Sequence, residues 1–238
     1  MLKVEIALAN GQAENGVIKK EDADAIATVC RLENIDIEKL KTRLPLGGNA
    51  AIPLIEQLRT QLVQTNKEAA TYLHYGATSQ DIVDTALLLQ IKAYGEWLLS
   101  SITHLEKALM YQIKAHVNTV MIGRTLLQHA KPITFGYKVS GWLAAIQRDA
   151  KRIESVLQNT LKIQLGGPVG NGNPRINADV CASFAKNLGL RTGISWHTQR
   201  DTLAEWGSTL GILNGNLGKV AKDISLLMQT EVAEVFEG

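Results

Sequence analysis

Three long segments without proline limit the fold of this 238-residue sequence more than any other feature does. They cover residues 81–116, 133–165 and 201–237, and apolar side chains recur along them mostly at steps of three and four residues. This spacing gathers the apolar side chains on one face of a helix. The most regular stripe is that of the last segment: Leu203, Trp206, Leu210, Leu213, Leu217, Val220, Ile224 and Leu227. Helices this long cannot bury such stripes alone, so the sequence predicts an all-α bundle of long helices that assembles with further copies.

Four glycines lie inside the last of these helices: Gly207, Gly211, Gly215 and Gly218. In a helix interior each glycine costs about 1 kcal/mol relative to alanine. That cost is tolerable where the backbone of another helix must approach closely, so the glycines favour a tightly packed partner helix.

Shorter elements are predicted around the long helices. Helices are expected over residues 1–17, 19–32, 54–73 and 176–188, a turn over residues 44–49 and a loop over residues 166–174. An irregular interruption is expected over residues 117–130. Pro132 then occupies the first turn of the following helix, as Pro53 does in another. We expect the chain to divide into an N-terminal helical region, residues 1–80, and a long-helix bundle domain, residues 81–238, that is incomplete at its C-terminal end.

Composition excludes several classes of function. The net charge is only +2, from 25 basic and 23 acidic residues, whereas nucleic-acid binding usually shows as a basic excess. No uninterrupted apolar run approaches the length of about 18 residues that a membrane span needs, and the first residues lack a signal-peptide pattern. Cys30 and Cys181 fit no metal or redox spacing, and the five histidines are scattered. The sequence therefore predicts a cytoplasmic protein that binds neither nucleic acid, membrane nor metal.

The first candidate site is the break at His74–Asp81, which leads into the first long helix. The hydroxyls of Thr78 and Ser79, together with the free backbone N–H groups of the first turn, can form a binding site for a carboxylate. The alternative is structural: one of these residues caps the helix, and Asp81 completes a capping box.

Two further polar breaks precede the other long helices. Gly123–Pro132 offers cationic and amide groups, among them Arg124, whose guanidinium suits bidentate binding of a carboxylate. Its alternative is a solvated surface loop. Trp196–Asp201 contains Arg200 and Asp201, which alternatively pair with each other or with neighbouring helices. Polar breaks at the ends of bundled helices often lie together and build a site.

These breaks resemble the signature regions of the fumarase/aspartase superfamily over essentially the whole chain. His74–Asp81 is similar to the first region and Gly123–Pro132 to the second, in the form shared by adenylosuccinate lyases and carboxymuconate cycloisomerases. Gln199–Asp201 and Gln229–Val235 fit the same two families. The resemblance implies an all-α fold whose long helices form the core of a homotetramer, with no metal or organic cofactor.

Leu126 decides between those two families. The elimination lyases carry a histidine after Gly-Arg-Thr, where it assists departure of a poor leaving group that needs a proton. This chain has Leu126 there. In a carboxymuconate cycloisomerase the group that leaves during lactone opening is a carboxylate, which departs as an anion because its pKa is about 4. An apolar residue at this position therefore favours the cycloisomerases.

The resemblance implies conversion of 3-carboxy-cis,cis-muconate, a small tricarboxylate, to a carboxymuconolactone in aromatic degradation. The implied substrate-binding residues are His74, Thr78, Ser79, Gln80, Arg124, Thr125, Leu126, Gln128, His197 and Arg200. No catalytic base is assigned, because the family's serine loop is expected after the run that ends this chain. A polypeptide of these residues alone is expected to be inactive. Two alternatives stay open: an adenylosuccinate lyase-type elimination that releases fumarate, and a non-catalytic helical scaffold.

Overall fold

The computed structural model describes residues 1–236, which are mostly helical. The helices are α1 (Leu2–Glu14), α2 (Lys20–Val29), a 3₁₀ helix (Leu32–Asn34), α3 (Ile37–Gly47), α4 (Ala51–Thr65), α5 (Lys67–Tyr72), α6 (Ser79–Ala115), α7 (Phe135–Thr160), α8 (Ala178–Leu188) and α9 (Asp201–Leu227). Strands β1 (Val120–Thr125) and β2 (Gln128–Thr134) form an antiparallel hairpin between α6 and α7. The prediction of an all-α bundle of long helices is confirmed, with this hairpin as an addition.

The chain forms two compact units, each built from two separate stretches of sequence. Among the described residues, the first unit contains 1–92 and 161–200, and the second contains 93–160 and 201–236. We refer to them as the N-terminal unit and the hairpin unit. The expected division of the chain into residues 1–80 and 81–238 stays a prediction.

In the N-terminal unit, α1 packs against α2 and α8, and α4 packs against α3 and α5. Its core is made of side chains with almost no exposed surface: Leu8, Ile26, Leu58, Leu62, Ile82 and Phe184. Helices α1 and α8 meet at Gly11, where a Cβ would lie 3.2 Å from the backbone nitrogen of Phe184. This close packing holds α1 directly against α8.

In the hairpin unit, α7 packs against α9, and the apolar stripes of both helices supply the contact. Trp142 and Ile146 of α7 and Trp206 and Leu213 of α9 are buried. The stripe of α9 is only partly covered, since Leu217 and Ile224 remain 38% exposed. At Gly207, Gly211, Gly215 and Gly218 an added Cβ would meet no described atom within 4 Å. The helix that was expected to approach these glycines is therefore not supplied by residues 1–236.

The expectation for Pro132 was wrong. Pro132 does not open a helix but pairs with Ile122 in the hairpin, and α7 begins only at Phe135. Proline lacks a backbone N–H, and an edge strand tolerates that because its outer side needs no partner. Both strands of a two-stranded hairpin are edge strands. The signal in the sequence was two β-type runs separated by two residues, Leu126 and Leu127, but the usual Asn-Gly turn was absent.

Three predicted boundaries were also wrong. Helix α3 continues through Pro45 to Gly47 and stops at Gly48, which has a φ of 72°. A proline in the last turn removes few helix hydrogen bonds, whereas a left-handed glycine ends the helix. Helix α7 stops at Thr160, because residues 161–165 are extended and exchange backbone hydrogen bonds with Arg191. Helix α9 ends at Leu227, and the chain then folds back, since the Glu234 amide donates to the Leu227 carbonyl. The end that was expected for this helix, residue 237, lies outside the described residues.

Candidate active site

The first signature region forms a tight break between α5 and α6. His74 and Gly76 both have positive φ, 63° and 82°, and α6 starts at Ser79. The Thr78 amide donates to the Asp81 carboxylate at 3.0 Å, which is the bond that the capping alternative predicts. The Ser79 hydroxyl accepts a hydrogen bond from Asn49 Nδ2 at 3.2 Å. Capping is thus confirmed for Asp81, while Thr78 and Ser79 stand at the positive end of a 37-residue helix.

Asp81 holds this break onto the loop that precedes α8. Its side chain is completely buried and accepts hydrogen bonds from Gln164 Nε2 at 3.0 Å and from the amides of Gly166 at 3.2 Å and Gly167 at 2.9 Å. Gln164 in turn donates to the Ser195 hydroxyl at 2.8 Å. One buried carboxylate therefore links the start of α6 directly to residues 164–167 and, through Gln164, to Ser195.

The third polar break lies against the first turns of α6. Gln80 Nε2 donates to the His197 carbonyl at 2.7 Å. Arg200 makes two hydrogen bonds to Asp84, at 2.5 and 2.9 Å, and its guanidinium lies 5.2 Å from the centre of the Trp196 ring. The hydrogen bonds to Asp84 raise the pKa of Arg200. The alternative that Arg200 pairs with a neighbouring helix is confirmed, and the structure brings the first and third breaks together.

Two histidines of these breaks have unusual surroundings. His74 Nδ1 lies 2.8 Å from Oε1 of Glu5, a carboxylate on α1 that is only 1% exposed. The second oxygen of Glu5 is buried without a hydrogen-bond partner among the described residues. His197 Nδ1 is likewise buried without a partner in that part of the chain. Buried polar atoms without partners are rare, and they occur disproportionately at functional sites.

The second signature region is the hairpin of the other unit. Arg124, at the end of β1, binds both carboxylate oxygens of Glu234, at 2.7 and 3.1 Å. The hydrogen bond from Arg124 lowers the pKa of Glu234, and the same bond raises the pKa of Arg124. Arg124 thus binds a carboxylate bidentately, but this carboxylate belongs to the protein. That Arg124 binds a carboxylate of a substrate stays a prediction.

Leu126 and Leu127 form the two-residue tip of the hairpin, between the paired residues Thr125 and Gln128. Both have positive φ, 52° and 60°, and their exposed fractions are 94% and 74%. This is the pattern of a type I′ turn, which normally carries Asn-Gly. Bulky residues in such a turn are strained, and strain of this kind clusters at functional sites.

Comparisons with known proteins agree with this geometry. A family model described as lyase matches residues 1–238. The chain belongs to the lyase family. The 3-carboxy-cis,cis-muconate cycloisomerase of Acinetobacter baylyi is 41% identical over 242 residues, which cover 100% of this chain and 54% of that protein. The crystal structure of 3-carboxy-cis,cis-muconate lactonizing enzyme from Pseudomonas putida superposes with a TM-score of 0.96 at 39% identity, over 99% of this chain and 54% of that one.

Other relatives of this chain are named for different reactions. A nitrosuccinate lyase of Streptomyces davaonensis is 34% identical over 248 residues, which cover 100% of this chain and 52% of that protein. This chain spans about half the length of the curated relatives it matches. The predicted membership of the fumarase/aspartase superfamily, with carboxymuconate cycloisomerases among the relatives, is confirmed.

Several residues of the site were missed by sequence reasoning. Glu5 and Asp84 lie in ordinary helical patterns, and Gln164 and Ser195 lie next to apolar or glycine-rich segments. Nothing in the sequence marked them, because their importance comes from contacts at long range. Leu127 was the exception, since two consecutive leucines between two strand-like runs are a detectable anomaly.

Residues 1–236 carry no metal cluster and no membrane-spanning helix. No group of three or more His, Cys, Asp or Glu side chains in this range is placed to hold a metal ion. No helix in the described part of the chain has the length and apolar character needed to cross a membrane. Burial raises the pKa of the Cys30 thiol to about 12 and also raises that of Cys181, so both cysteines behave as unreactive packing residues.

The strained hairpin tip gives a testable prediction. We expect the double substitution Leu126→Asn and Leu127→Gly to raise the free energy of unfolding by about 1–2 kcal/mol, because left-handed backbone is costly for leucine and cheap for asparagine and glycine. Urea unfolding measures this change. Leu46→Asn is the control, since Leu46 is also exposed but lies in helix α3, and it should lower stability slightly. A clear loss of stability in the double variant would contradict the prediction.

Proposed function

We propose that this lyase catalyses the cycloisomerisation of 3-carboxy-cis,cis-muconate to a carboxymuconolactone, as the names of its cycloisomerase relatives state for those proteins. The observation that carries the proposal is Leu126, an apolar residue at the exposed hairpin tip, where the elimination lyases are expected to carry a histidine. Lactone opening releases a carboxylate, which leaves without protonation because its pKa is about 4. An acid at this position is therefore unnecessary for a cycloisomerase, whereas an elimination with a poor leaving group, such as an amine, needs one.

The proposed roles follow from the type and surroundings of each residue. Thr78, Ser79 and Gln80 bind a substrate carboxylate at the N-terminal end of α6, where the helix dipole is positive. Arg124, Thr125 and Gln128 present cationic and polar groups from the hairpin, and Leu126 forms an apolar wall. Donors that are fixed in advance stabilise the carbanion-like intermediate as a dianionic carboxylate. That Leu126 lies beside the site of Ser79 in the assembled enzyme stays a prediction.

His74, His197 and Arg200 complete the proposed site. His197 lies on the segment that Gln80 binds, and its ring nitrogen Nδ1 is buried without a partner among residues 1–236. Arg200 is already engaged by Asp84, so we assign it to holding the segment of His197 against α6. The reaction is proposed to need no metal or organic cofactor, and the protein is proposed to act in the cytoplasm.

An elimination remains the second candidate, and the nitrosuccinate lyase relative favours it. A spectrophotometric assay with a protein that includes the serine loop separates the two. Loss of the muconate diene, with no fumarate released from adenylosuccinate, is the expected result. Fumarate release without loss of the diene would overturn the proposal. If the protein shows neither activity, the result would favour the non-catalytic scaffold.

We also propose a homo-oligomer, with a tetramer expected from the resemblance. The half-covered stripe of α9 and its open glycine positions support the proposal, because long apolar faces are rarely left to solvent. Light scattering at micromolar concentration should give a mass of several chains. A monodisperse monomer would contradict this prediction.

The contact between Glu5 and His74 leads to a prediction about the proposed site. An ionised carboxylate only accepts hydrogen bonds, so Glu5 should hold the proton of His74 on Nδ1 and leave Nε2 free to accept. In Glu5→Gln we expect this tautomer preference to disappear in ¹⁵N NMR spectra. We also expect kcat/KM to fall about tenfold, which corresponds to loss of a charge-assisted hydrogen bond contributing about 1.4 kcal/mol.

Asp22→Asn is the matched control for this prediction. Asp22 is also a buried carboxylate with one oxygen that lacks a partner among the described residues. The control should change neither the tautomer of His74 nor the activity. Equal changes in both variants would show that Glu5 is merely one of several buried carboxylates that support the fold.

A further inference from the structure

An open cavity of about 800 Å³ lies within the N-terminal unit, beside the first signature region. Residues 75–77 line one side and residues 173–175 line the other, with Val17 and Pro168 between them. Cavities of this size hold small-molecule ligands in many proteins. Tyr75 and Arg175 are the large polar side chains of the lining, and neither belongs to the site proposed above.

The backbone around this cavity is fixed from several directions. Gln12 is completely buried, and its Nε2 donates to the carbonyls of Tyr75 at 2.7 Å and Arg175 at 2.9 Å. Asn173 Nδ2 donates to the Gly76 carbonyl at 3.0 Å. A Cβ at Gly76 would lie 2.9 Å from the Cβ of Arg175, so the two walls approach as closely as glycine allows. Walls that are held in place before binding reduce the entropy that a ligand loses on binding.

Arg175 presents an unused cation to this cavity. Its guanidinium carbon lies 4.4 Å from the centre of the Tyr75 ring, and its side chain is exposed. Stacking on an aromatic ring covers a face of the guanidinium and leaves the N–H edge free for an anion. Within residues 1–236 no acidic side chain forms an ion pair with Arg175.

The arginines of the signature regions, Arg124 and Arg200, differ from Arg175 in this respect. Arg124 is bound to Glu234, and Arg200 is bound to Asp84, each by two hydrogen bonds. A substrate carboxylate must displace a protein carboxylate at either of them. At Arg175 it displaces only water, so the electrostatic gain on binding is not offset by the loss of an ion pair.

We propose that Arg175 binds a carboxylate of the substrate in this cavity, and that it thereby selects polycarboxylates of the class that the proposed function requires. The inference rests on the proposed function for the identity of the substrate class. The guanidinium binds the carboxylate through two parallel N–H···O hydrogen bonds, and Tyr75 keeps it oriented. Residues 75–77, which line this cavity, are themselves part of the first signature region.

Titration calorimetry with tricarballylate, a saturated tricarboxylate that cannot form a lactone, tests the proposal without relying on turnover. Arg175→Gln should weaken binding about tenfold or more, the scale of a lost hydrogen bond to a charged group. Arg175→Lys should recover part of the affinity, since it keeps the charge but not the paired geometry. Arg191→Gln is the matched control, because Arg191 is an exposed arginine of the same unit, and it should bind as the unchanged protein does.

Four outcomes of the binding experiment would overturn the proposal. They are unchanged affinity in Arg175→Gln, equal weakening in Arg175→Gln and Arg191→Gln, equal affinity of the unchanged protein for sulfate and tricarballylate, and no tricarballylate binding at millimolar concentration. Lactonisation with an unaltered KM in Arg175→Gln would likewise reject Arg175 while leaving the proposed function intact. Arg175-dependent binding in a protein without lactonisation would support the site and reject the reaction.

Discussion

A polypeptide limited to residues 1–238 should convert 3-carboxy-cis,cis-muconate at least about 10²-fold more slowly than one extended through the serine loop. By resemblance the serine of that loop is the base, and the loop follows the run that corresponds to Glu231–Val235. A positioned base contributes about 10²–10⁴-fold to proton transfer at carbon. The loop is also expected to close over the substrate and exclude water, so the full loss should be larger.

Oligomerisation should not restore this activity. The resemblance predicts that each active site combines the first signature region, the second signature region and the serine loop from three different subunits. Copies limited to residues 1–238 would supply only the two signature regions. Loss of diene absorbance measures turnover for both polypeptides, and circular dichroism with light scattering shows whether both are folded and assembled. Comparable turnover would place the base within residues 1–238. His74, His129 or His197 would then have to be that base.

Asp81→Ala should lower the free energy of unfolding by about 3–5 kcal/mol, an unusually large loss for one substitution. The Asp81 carboxylate has no exposed surface and accepts four hydrogen bonds, from Thr78, Gln164, Gly166 and Gly167. Each buried donor that loses its acceptor costs about 1–3 kcal/mol, and relaxation and water entry recover a part. Thermal unfolding should shift downward by on the order of 10 °C.

Asp179→Ala is the matched control, because Asp179 is also an acidic residue in the first turn of a helix, α8, but is exposed. Its loss should cost less than about 1 kcal/mol, since only its interaction with the helix dipole disappears. A loss below about 1 kcal/mol in Asp81→Ala would contradict the role of Asp81 as the link between α6 and the loop before α8.

The pattern of apolar residues determined most of the helical fold, because a stripe with a period near 3.6 is a local property of the sequence. Helices α6, α7 and α9 were predicted from it, although both ends of α7 and the end of α9 were misplaced. The hairpin was missed because strand pairing depends on a turn, and Leu126 and Leu127 are not the residues that such turns usually carry. Only the contacts of the folded chain hold these two residues in a left-handed conformation.

The candidate site could be recognised from the sequence only in part. The signature regions around Thr78, Arg124 and His197 could be found in the sequence, because each is a short contiguous run. Their partners could not be found, because Glu5, Asp84, Gln164 and Glu234 reach them across 69 to 116 residues of sequence. Whether an arginine is neutralised by a protein carboxylate or left open, as at Arg175, depends on such distant contacts. The sequence by itself thus determined the family and the helices, and the tertiary structure decided which charged groups are paired, because that pairing is set by packing between segments far apart in the chain.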